Sequence, residues 1–356
     1  MKKTKFLMLA FAVLTFTMMG CSILGGAAEE EKKKEEEKKE VTYETFVGTP
    51  YRVVDTKKFQ YSSNTLDIVE FGDWPQTIKA SDVKIDETKG AKAGAYTYFK
   101  GSDDAWYCKA KEITPQYATY THYYSDGSEV KKGGKSSRWF KVEPIRWYVW
   151  KTENNKSFMT PEHVLICEAF YDYLDIKRNI GGIEINPNNY DHSRVRAYLN
   201  GYDYYKQGPD DSELVTDSSF KDKGFLQTAF ADNISSAIAV TEVKNDKDSA
   251  KNHQGYEKNN PYLTGTTLND KIFLISVSDL TSPDLDFLYL DSKPVDFALA
   301  YDVEVNAEGL ADWYLRTPWA FGANEVETRE YDGITSVLQT YAYFKKGILP
   351  AIWIQK

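Results

Sequence analysis

The three cysteines are the side chains with the most distinctive surroundings in this 356-residue chain. Cys21 directly follows a glycine at the end of an apolar stretch, whereas Cys108 and Cys167 stand far apart in the body of the chain. A thiol can be alkylated, oxidised to a disulfide or buried as a small hydrophobic group. The residues around each cysteine indicate which of these fates to expect.

The residues before Cys21 have the layout of a secretory signal peptide. Three lysines within the first five residues precede an uncharged apolar run of 14 residues at positions 6–19. A helix needs about 20 apolar residues to cross a bilayer, so we do not expect this run to remain as an anchor. Residues 1–20 are therefore predicted to be removed as a lipoprotein signal peptide.

The sequence Met18-Met19-Gly20-Cys21 predicts what becomes of the first cysteine. It resembles a bacterial lipobox, of the relaxed kind found in spirochaetes, in which the thiol is alkylated with diacylglycerol before cleavage after the small residue. We expect Cys21 to carry this covalent lipid and to tether an exported bacterial lipoprotein that faces the periplasm or the cell surface. The alternative is a secreted protein with an unmodified cysteine.

With Cys21 acylated, Cys108 and Cys167 remain as an even pair. An exported compartment permits disulfides, so one interpretation is a disulfide between Cys108 and Cys167. The other is two separate buried thiols, and the sequence leaves the choice open because it gives no distance between them. The two cysteines also lack the adjacent arrangement that an oxygen-activating copper or thiol site needs.

No other pattern of side chains predicts catalysis or metal binding. The four histidines are far apart and show no zinc-binding spacing. Acidic residues number 53, but abundance alone does not identify an acid/base pair. We therefore expect no catalytic residue, no metal ion and no cofactor other than the diacylglycerol on Cys21.

Aromatic and hydrogen-bonding side chains alternate through residues 313–324. Trp313, Arg316, Trp319, Phe321 and Asn324 place flat apolar faces beside polar groups, which is what sugars or the side chains of a partner protein can use. These five residues are the candidate ligand-binding set. The alternative is that Trp313 lies in the core and Arg316 makes a structural ion pair, because buried aromatic residues normally belong to cores.

The composition predicts a β-rich protein that does not bind nucleic acid. Aromatic residues make up 15% of the chain, and aromatic side chains pack well on pleated sheets. Loss of three lysines with the signal peptide changes the net charge from −9 to −12, because 41 basic residues then face 53 acidic ones. A chain with this charge repels phosphate backbones.

The body of the chain is predicted to be a single α+β domain. Glu and Lys alternate in blocks through residues 29–40, so residues 21–44 are predicted to form a solvated linker that holds the body away from the lipid. Residues 45–356 are predicted to form the globular domain. Short aromatic runs separated by turn signals there indicate an antiparallel-sheet-rich fold with a few short helices.

Local patterns predict where several strands begin and end. Residues 66–71 indicate a strand that ends in a turn at residues 72–76, and residues 139–150 indicate a central strand interrupted by Pro144. Further strands are predicted at residues 158–169, 238–243, 272–277, 313–315 and 348–354.

Two short helices are predicted. Asp191 or Ser193 can cap the start of the first and Gly201 can end it, and the second is expected within residues 219–230. On the first helix, Arg194 and Arg196 are expected to be solvated or paired with carboxylates rather than to bind a ligand.

Six motifs occur in an order that resembles a known family. They are FGDWPQ at 71–76, VEPIRW at 142–147, SRVRAYLNG at 193–201, KIFLIS at 271–276, WYLRTP at 313–318 and GILPA at 347–351. The set resembles a bacterial domain of unknown function found in many treponemal lipoproteins, over roughly residues 66–356. Where that family commonly has Gly-Val-Arg-Pro-Ala, Leu349 replaces the arginine.

This resemblance implies a fold as well. The domain is distantly similar to the C-type-lectin-like fold of formylglycine-generating enzymes and of diversity-generating variable proteins. Those folds combine two helices with twisted antiparallel sheets and close on a terminal strand. Lectin-like scaffolds host unrelated functions, so the resemblance does not choose among activities.

The sequence favours a membrane-tethered, non-enzymatic domain that binds a glycan or a protein. This expectation rests on the acylated N-terminus, the linker, the lectin-like resemblance and the lack of a catalytic pattern. Two other functions stay open, a cell-envelope glycan-processing hydrolase and a structural envelope protein. The expected partners are the membrane, through the lipid, and a glycan or protein ligand.

Overall fold

The computed structural model describes residues 40–59, 64–113, 120–131, 133–171, 178–180, 182–207, 214–251, 260–283, 285, 290, 293–322, 325–331 and 335–356. They belong to one compact unit, Glu40–Lys356. Cys21, the predicted signal peptide and residues 21–39 of the predicted linker lie outside the described residues. No helix in the described ranges is long and apolar enough to cross a membrane.

The described part of the chain forms many short strands and a few short helices. The strands are β1 (Thr42–Glu44), β2 (Arg52–Lys58), β3 (Thr65–Ile78), β4 (Ile85–Ala93), β5 (Tyr96–Gly101), β6 (Trp106–Lys111), β7 (Ser137–Glu153), β8 (Lys156–Pro161), β9 (Ile166–Ala169), β10 (Arg178–Ile180), β11 (Ile183–Ile185), β12 (Tyr204–Gln207), β13 (Leu214–Asp217), β14 (Thr241–Lys244), β15 (Thr267–Asp270), β16 (Ile272–Phe273), β17 (Trp313–Pro318), β18 (Glu325–Tyr331), β19 (Thr335–Tyr341), β20 (Lys345–Ile348) and β21 (Ala351–Gln355). The helices are α1 (Arg194–Asn200), α2 (Phe225–Ala229), α3 (Asp232–Ser235), α4 (Val277–Leu280) and α5 (Asp296–Ala300), with 3₁₀ turns at Tyr190–His192 and Lys247–Ala250. The predicted α+β class is confirmed.

Two larger sheets organise the described residues. The ten-stranded sheet runs β1-β4-β5-β6-β7-β8-β21-β16, with β3 paired to β7 and β2 paired to β3. The five-stranded sheet runs β19-β18-β17-β20-β9. Most pairs are antiparallel, and the exceptions are β1 with β4 and β17 with β20. Three two-stranded ribbons, β10-β11, β12-β13 and β14-β15, complete the described strands.

The longest pairing joins β3 to β7, and it corrects two predictions. The turn predicted at residues 72–76 is wrong, because β3 continues to Ile78. The predicted interruption at Pro144 is also wrong, because β7 runs unbroken to Glu153. The register of the pair shifts between Glu70 and Asp73, opposite Pro144, so a bulge accommodates the residue that lacks a backbone N–H.

Gly72 and Asp73 make this bulge. Gly72 has φ +74°, a left-handed conformation that suits glycine, and its N–H donates to Thr49 O at 2.9 Å. The Asp73 carboxylate accepts hydrogen bonds from the backbone N–H and the hydroxyl of Thr49, both at 2.7 Å. The same residue types that indicate a turn therefore bend a continuous strand and fasten it to residue 49.

Predicted strands at four other places are divided differently in the structure. Residues 158–169 form two strands in different sheets, β8 and β9, and residues 348–354 are likewise divided between β20 and β21. Residues 272–277 contain only the short β16, because Ser276 caps α4, which begins at Val277. In residues 238–243, Ile238 makes an isolated bridge to Ile354 and β14 begins three residues later.

Both predicted helices are present. Ser193 caps α1, since its hydroxyl accepts a hydrogen bond from the N–H of Arg196 at 3.1 Å, and Gly201 ends the helix with φ +74°. α2 lies inside the predicted range of residues 219–230. In the core, two buried indole N–H groups are hydrogen-bonded: Trp147 donates to Phe71 O at 2.8 Å and Trp74 to Leu165 O at 3.0 Å.

Replacement of Gly72 by alanine is expected to destabilise the fold more than the same change at Gly127. A Cβ on Gly72 would lie 2.7 Å from Ala229 O and 2.7 Å from the Phe230 ring, whereas a Cβ on Gly127 meets nothing within 4 Å. Both glycines have positive φ. We expect Gly72→Ala to lower the free energy of unfolding by about 3 kcal/mol and Gly127→Ala by about 1 kcal/mol. Urea unfolding measures both, and equal losses would contradict the prediction.

Candidate functional site

The residues predicted from sequence to bind a ligand do not form one site. Trp313 is only 1% exposed in β17, and Arg316 beside it is also buried. Arg316 donates hydrogen bonds to Leu274 O at 2.8 Å and to the Asp279 carboxylate at 2.8 Å. The alternative interpretation is therefore the one observed, with Trp313 in the core and Arg316 in a structural ion pair.

The other members of that set lie after the end of β17. Trp319 and Phe321 pack edge to face with ring centroids 5.7 Å apart, and Phe321 is 74% exposed. Asn188 holds the next residue by donating to Gly322 O at 2.9 Å. Asn324 lies outside the described residues. Trp313 and Arg316 thus belong to the interior, while Trp319 and Phe321 are at the surface end of the five-stranded sheet.

Cys108 and Cys167 do not form a disulfide. Both are free and buried, and they lie in different sheets, on β6 and β9. Burial raises the pKa of each thiol above its ordinary value. The disulfide interpretation is corrected to two separate buried thiols, which are held in the protonated, unreactive form.

The two arginines of α1 bind carboxylates of neighbouring elements. Arg196 makes two hydrogen bonds to the buried Asp270 carboxylate, at 2.7 and 2.8 Å. Arg194 makes two to Glu168, at 3.0 and 3.1 Å. These paired contacts fix α1 against β15 and β9, so the arginines support the fold, as the sequence indicated.

A groove on the ten-stranded sheet is the candidate functional site. Its floor is a row of side chains from four neighbouring strands, Lys151, Phe158, Trp353 and Phe273. Lys151 pairs with Phe158 and Phe158 with Trp353, while Phe273 pairs with Ala351, two residues before Trp353. Because alternate residues of a strand share a face, this register puts all four side chains on one face.

The floor is mainly aromatic. The ring centroids of Phe158 and Trp353 are 5.2 Å apart, and those of Phe158 and Phe273 are 6.2 Å apart with nearly parallel planes. Both phenylalanines are buried, whereas Trp353 is half-buried. Trp353 is therefore the ring with the most surface left for a ligand.

Mostly polar side chains form the walls of the groove, which has a volume of about 310 Å³. We call the lining residues of two segments the walls: β14 contributes Thr241, Glu242 and the apolar Val243, and α4 with the residues after it contributes Ser278, Asp279, Ser282 and the apolar Leu285. Arg316 reaches the groove behind Asp279. The arrangement offers hydroxyl, carboxylate and guanidinium groups above an aromatic floor.

The charge on Asp279 is set by its neighbours. Burial alone would raise the pKa of this carboxyl, but the Arg316 guanidinium and two hydrogen bonds from Ser276 outweigh it and hold the pKa below the usual 3.8. The backbone N–H and the hydroxyl of Ser276 each donate to Asp279 Oδ2 at 2.8 Å. Asp279 is thus a fixed anion at neutral pH, with one oxygen already bonded three times.

In the ranges that the structure describes, no group of three or more His, Cys, Asp or Glu side chains is placed to hold a metal ion. His253 lies outside those ranges.

Sequence reasoning missed the floor of the groove. The alternation of residues 351–354 does put Trp353 on the face opposite Ile352 and Ile354, and that signal alone could have identified it.

The fold and the groove define a sheet-rich α+β protein with an aromatic-floored surface groove. The chain belongs to a family that shares a domain of unknown function, DUF6273, whose model matches residues 161–356, more than half of the chain. No curated protein and no solved structure matches it.

The family match is narrower than the resemblance that the motifs suggested. It begins at the end of β8 and contains four of the six ordered motifs, those from residue 193 onward. The groove straddles this boundary. Lys151 and Phe158 precede the matched residues, whereas the rest of the floor and both walls lie within them.

Replacement of Asp279 by asparagine is expected to change how stability depends on pH. A carboxyl whose pKa is lowered by folding stabilises the native state above its unfolded pKa, and this stability is lost as pH falls through the folded pKa. Asp279→Asn leaves the buried Arg316 unpaired, so we expect it to be about 3 kcal/mol less stable than wild type near pH 7. The difference should shrink as pH falls below the ordinary value of 3.8.

Urea unfolding at about pH 7 and about pH 3 measures this difference. Asp82→Asn is the control, because Asp82 is exposed and outside the groove, and it should follow the wild type at both values of pH. A gap between Asp279→Asn and wild type that stays constant with pH would refute the assignment of the ion pair.

Proposed function

We propose that this chain is a membrane-tethered, non-enzymatic binding protein whose groove takes a glycan. The observation that carries the proposal is the row of aromatic side chains across β8, β21 and β16, bordered by hydroxyl and carboxylate groups. The C–H face of a sugar packs on an aromatic ring while its hydroxyls need hydrogen-bond partners around the edge. Trp353 and the two walls supply both.

The size of the groove favours a glycan over a protein ligand. Small-molecule sites enclose about 300–1,000 Å³, and this groove of about 310 Å³ falls at the lower end. A stable protein interface buries about 800 Å² on each partner, which calls for a broad surface rather than a short groove. A sugar of one or a few units therefore fits the site better.

The resemblance to C-type-lectin-like folds is part of the same proposal. The last strand, β21, pairs with β8 and β16 inside the ten-stranded sheet, and Lys356 N donates to Asn155 O at 3.1 Å. Closure on a terminal strand is what a lectin-like fold would require. Here that strand also carries Trp353, so the closing strand forms part of the proposed site.

A glycan-processing hydrolase is the second candidate, because two carboxylates, Glu242 and Asp279, line the groove. Hydrolysis of a glycosidic bond needs one carboxylic acid that is still protonated near neutral pH. The lowered pKa of Asp279 makes it unsuited to that role. A hydrolase in this groove would therefore need Glu242 as its acid. Binding needs no such acid and is the activity that we propose, and a purely structural envelope protein would be favoured only if no glycan binds.

Replacement of Trp353 by alanine is expected to weaken glycan binding. An array of bacterial-envelope and host glycans identifies the ligand for the full chain, and calorimetry then compares variants on the best one. Loss of an aromatic anchor should weaken binding by roughly tenfold or more, with partial recovery in Trp353→Phe. The control is Trp139→Ala, a half-buried tryptophan of β7 outside the groove.

Three outcomes would count against the proposed site. No binding across the array would exclude a glycan as the ligand. Equal losses of affinity in Trp353→Ala and Trp139→Ala would exclude the groove as the binding site. Release of new reducing ends by the wild type, abolished in Glu242→Gln, would favour the hydrolase.

The tether is the second part of the proposal. Its support is the basic start, the apolar run of 14 residues and Gly20-Cys21. Buried acyl carbons contribute about 0.8 kcal/mol per CH₂, so two chains on one cysteine anchor a protein firmly where one holds weakly. The linker would then place the groove away from the lipid, on the periplasmic side or the cell surface of an exported bacterial lipoprotein.

Mass spectrometry of the mature N-terminus tests the tether. We expect a chain that begins at Cys21 and carries diacylglycerol, and we expect Cys21→Ser to carry no diacylglycerol and to keep residues 1–20, because a hydroxyl is not alkylated and cleavage follows alkylation. A mature chain with unmodified Cys21 would exclude the lipid anchor and leave the groove proposal intact.

A further inference from the structure

The outer edge of the five-stranded sheet has a separate feature that the groove does not explain. β19 pairs with β18 over seven consecutive residues, from Thr335 to Tyr341, without a register shift. Among the residues that the structure describes, no strand pairs with the other side of β19. Such an edge presents a row of backbone N–H and C=O groups that can pair with another strand.

This edge lacks the usual protection against pairing. Natural edge strands carry charges, proline or bulges, or are very short. The twelve residues 333–344 contain no charged side chain and no proline, although 27% of the whole chain is charged. The neighbouring β18 has charges at Glu325, Glu327, Arg329 and Glu330. The absence of charge is therefore confined to the outermost strand and the turn after it.

The other long edge of the described sheets shows the contrast. β2 pairs only with β3, and four of its seven residues are charged, namely Arg52, Asp55, Lys57 and Lys58. Like charges placed opposite one another destabilise a strand pair. β2 is thus protected in the ordinary way, whereas β19 is not.

Exposed aromatic side chains extend the uncharged edge at the end of β19. Tyr341 is 40% exposed and stacks with Tyr343 at 5.3 Å, and Phe344 is 46% exposed. The Tyr314 hydroxyl bonds to Tyr341 O at 2.9 Å and to Phe344 O at 2.8 Å, which fastens the turn to β17. The edge is therefore held in place by the core, with apolar surface at its end.

We propose that β19 pairs in antiparallel fashion with β19 of a second copy of this chain. The pairing would join two five-stranded sheets about a two-fold axis, so that the same surface serves both partners. Each chain has a net charge of −9, so two copies repel one another except where they meet without charge. Among the long edge strands described, β19 is the uncharged one. Two copies of it can pair in antiparallel fashion because each presents the same backbone N–H and C=O groups to the other.

Sedimentation velocity of the full chain tests this, with Cys21→Ser in every sample so that no lipid contributes to association. The protein with an unchanged β19 should form a dimer whose fraction rises with protein concentration. Gln339→Lys changes an exposed residue of β19 and would place two positive charges in the symmetric interface. It should raise the dissociation constant by at least roughly tenfold.

Val53→Lys is the matched control, because Val53 is 55% exposed on the edge strand β2. It should leave the dissociation constant unchanged, and circular dichroism should show both variants to be folded. A monomeric wild type at every concentration would overturn the proposal. A dimer that resists Gln339→Lys, or one that is lost in Val53→Lys instead, would assign the association to another surface and overturn it equally.

Discussion

Two chain segments that run antiparallel through both large sheets are the constraint on which the rest of the structure depends. Residues 156–169 supply β8 and then β9, and residues 345–355 supply β20 and then β21. β8 pairs with β21 in the ten-stranded sheet, and β9 pairs with β20 in the five-stranded sheet. The sheets therefore share one core, and Leu349 is buried where the second segment crosses between them. A leucine suits this place, since an arginine there would need buried partners.

The motifs that suggested a family contribute side chains that hold the strands and helices of the two sheets in position. Asn200 of α1 donates to Ile272 O at 2.7 Å and accepts from Ile272 N at 3.1 Å, which fixes β16 beside β21. Arg196 binds Asp270 just before that strand. Arg316 ties β17 to α4 through Asp279. Asn200 and Arg196 do not line the groove, whereas Arg316 does, and together these side chains position Phe273 on the floor and Asp279 on the wall.

Local chemistry was predictable from the sequence, and long-range register was not. Two candidate caps, Asp191 and Ser193, together with Gly201 identified α1, since capping depends on adjacent residues alone, and the structure selects Ser193. Gly72 and its neighbours carry the chemistry of a turn, but pairing with β7 converts that turn into a bulge, and this partner lies about 70 residues away in sequence. The sequence allowed two interpretations of Trp313, as a core residue or as a ligand-binding residue, because an indole suits a core and a binding surface equally.

The groove was hidden for the same reason. Lys151, Phe158, Phe273 and Trp353 are spread over 203 residues of sequence, and only the pairing of four strands brings them into one row. Each alone is an ordinary strand residue. Closely spaced aromatic residues, as in residues 313–324, are easier to notice in a sequence than scattered ones. Whether they can contact a ligand depends on which face of the strand is exposed to solvent. β17 is buried on both faces, so alternation along it exposes nothing.

The charges around the groove indicate which glycans it would favour. Arg316 is paired with Asp279 at 2.8 Å, and Lys151 with Glu153 at 2.7 Å, so each of these cations is neutralised by a carboxylate. Glu242 is exposed and makes no ion pair with the described residues. When Glu153, the partner of the lining residue Lys151, is counted with the lining, three carboxylates stand against two cations, so the excess charge around the groove is negative. Neutral or basic sugars would meet an acceptor at Glu242, whereas acidic sugars would be repelled by it and by the chain as a whole.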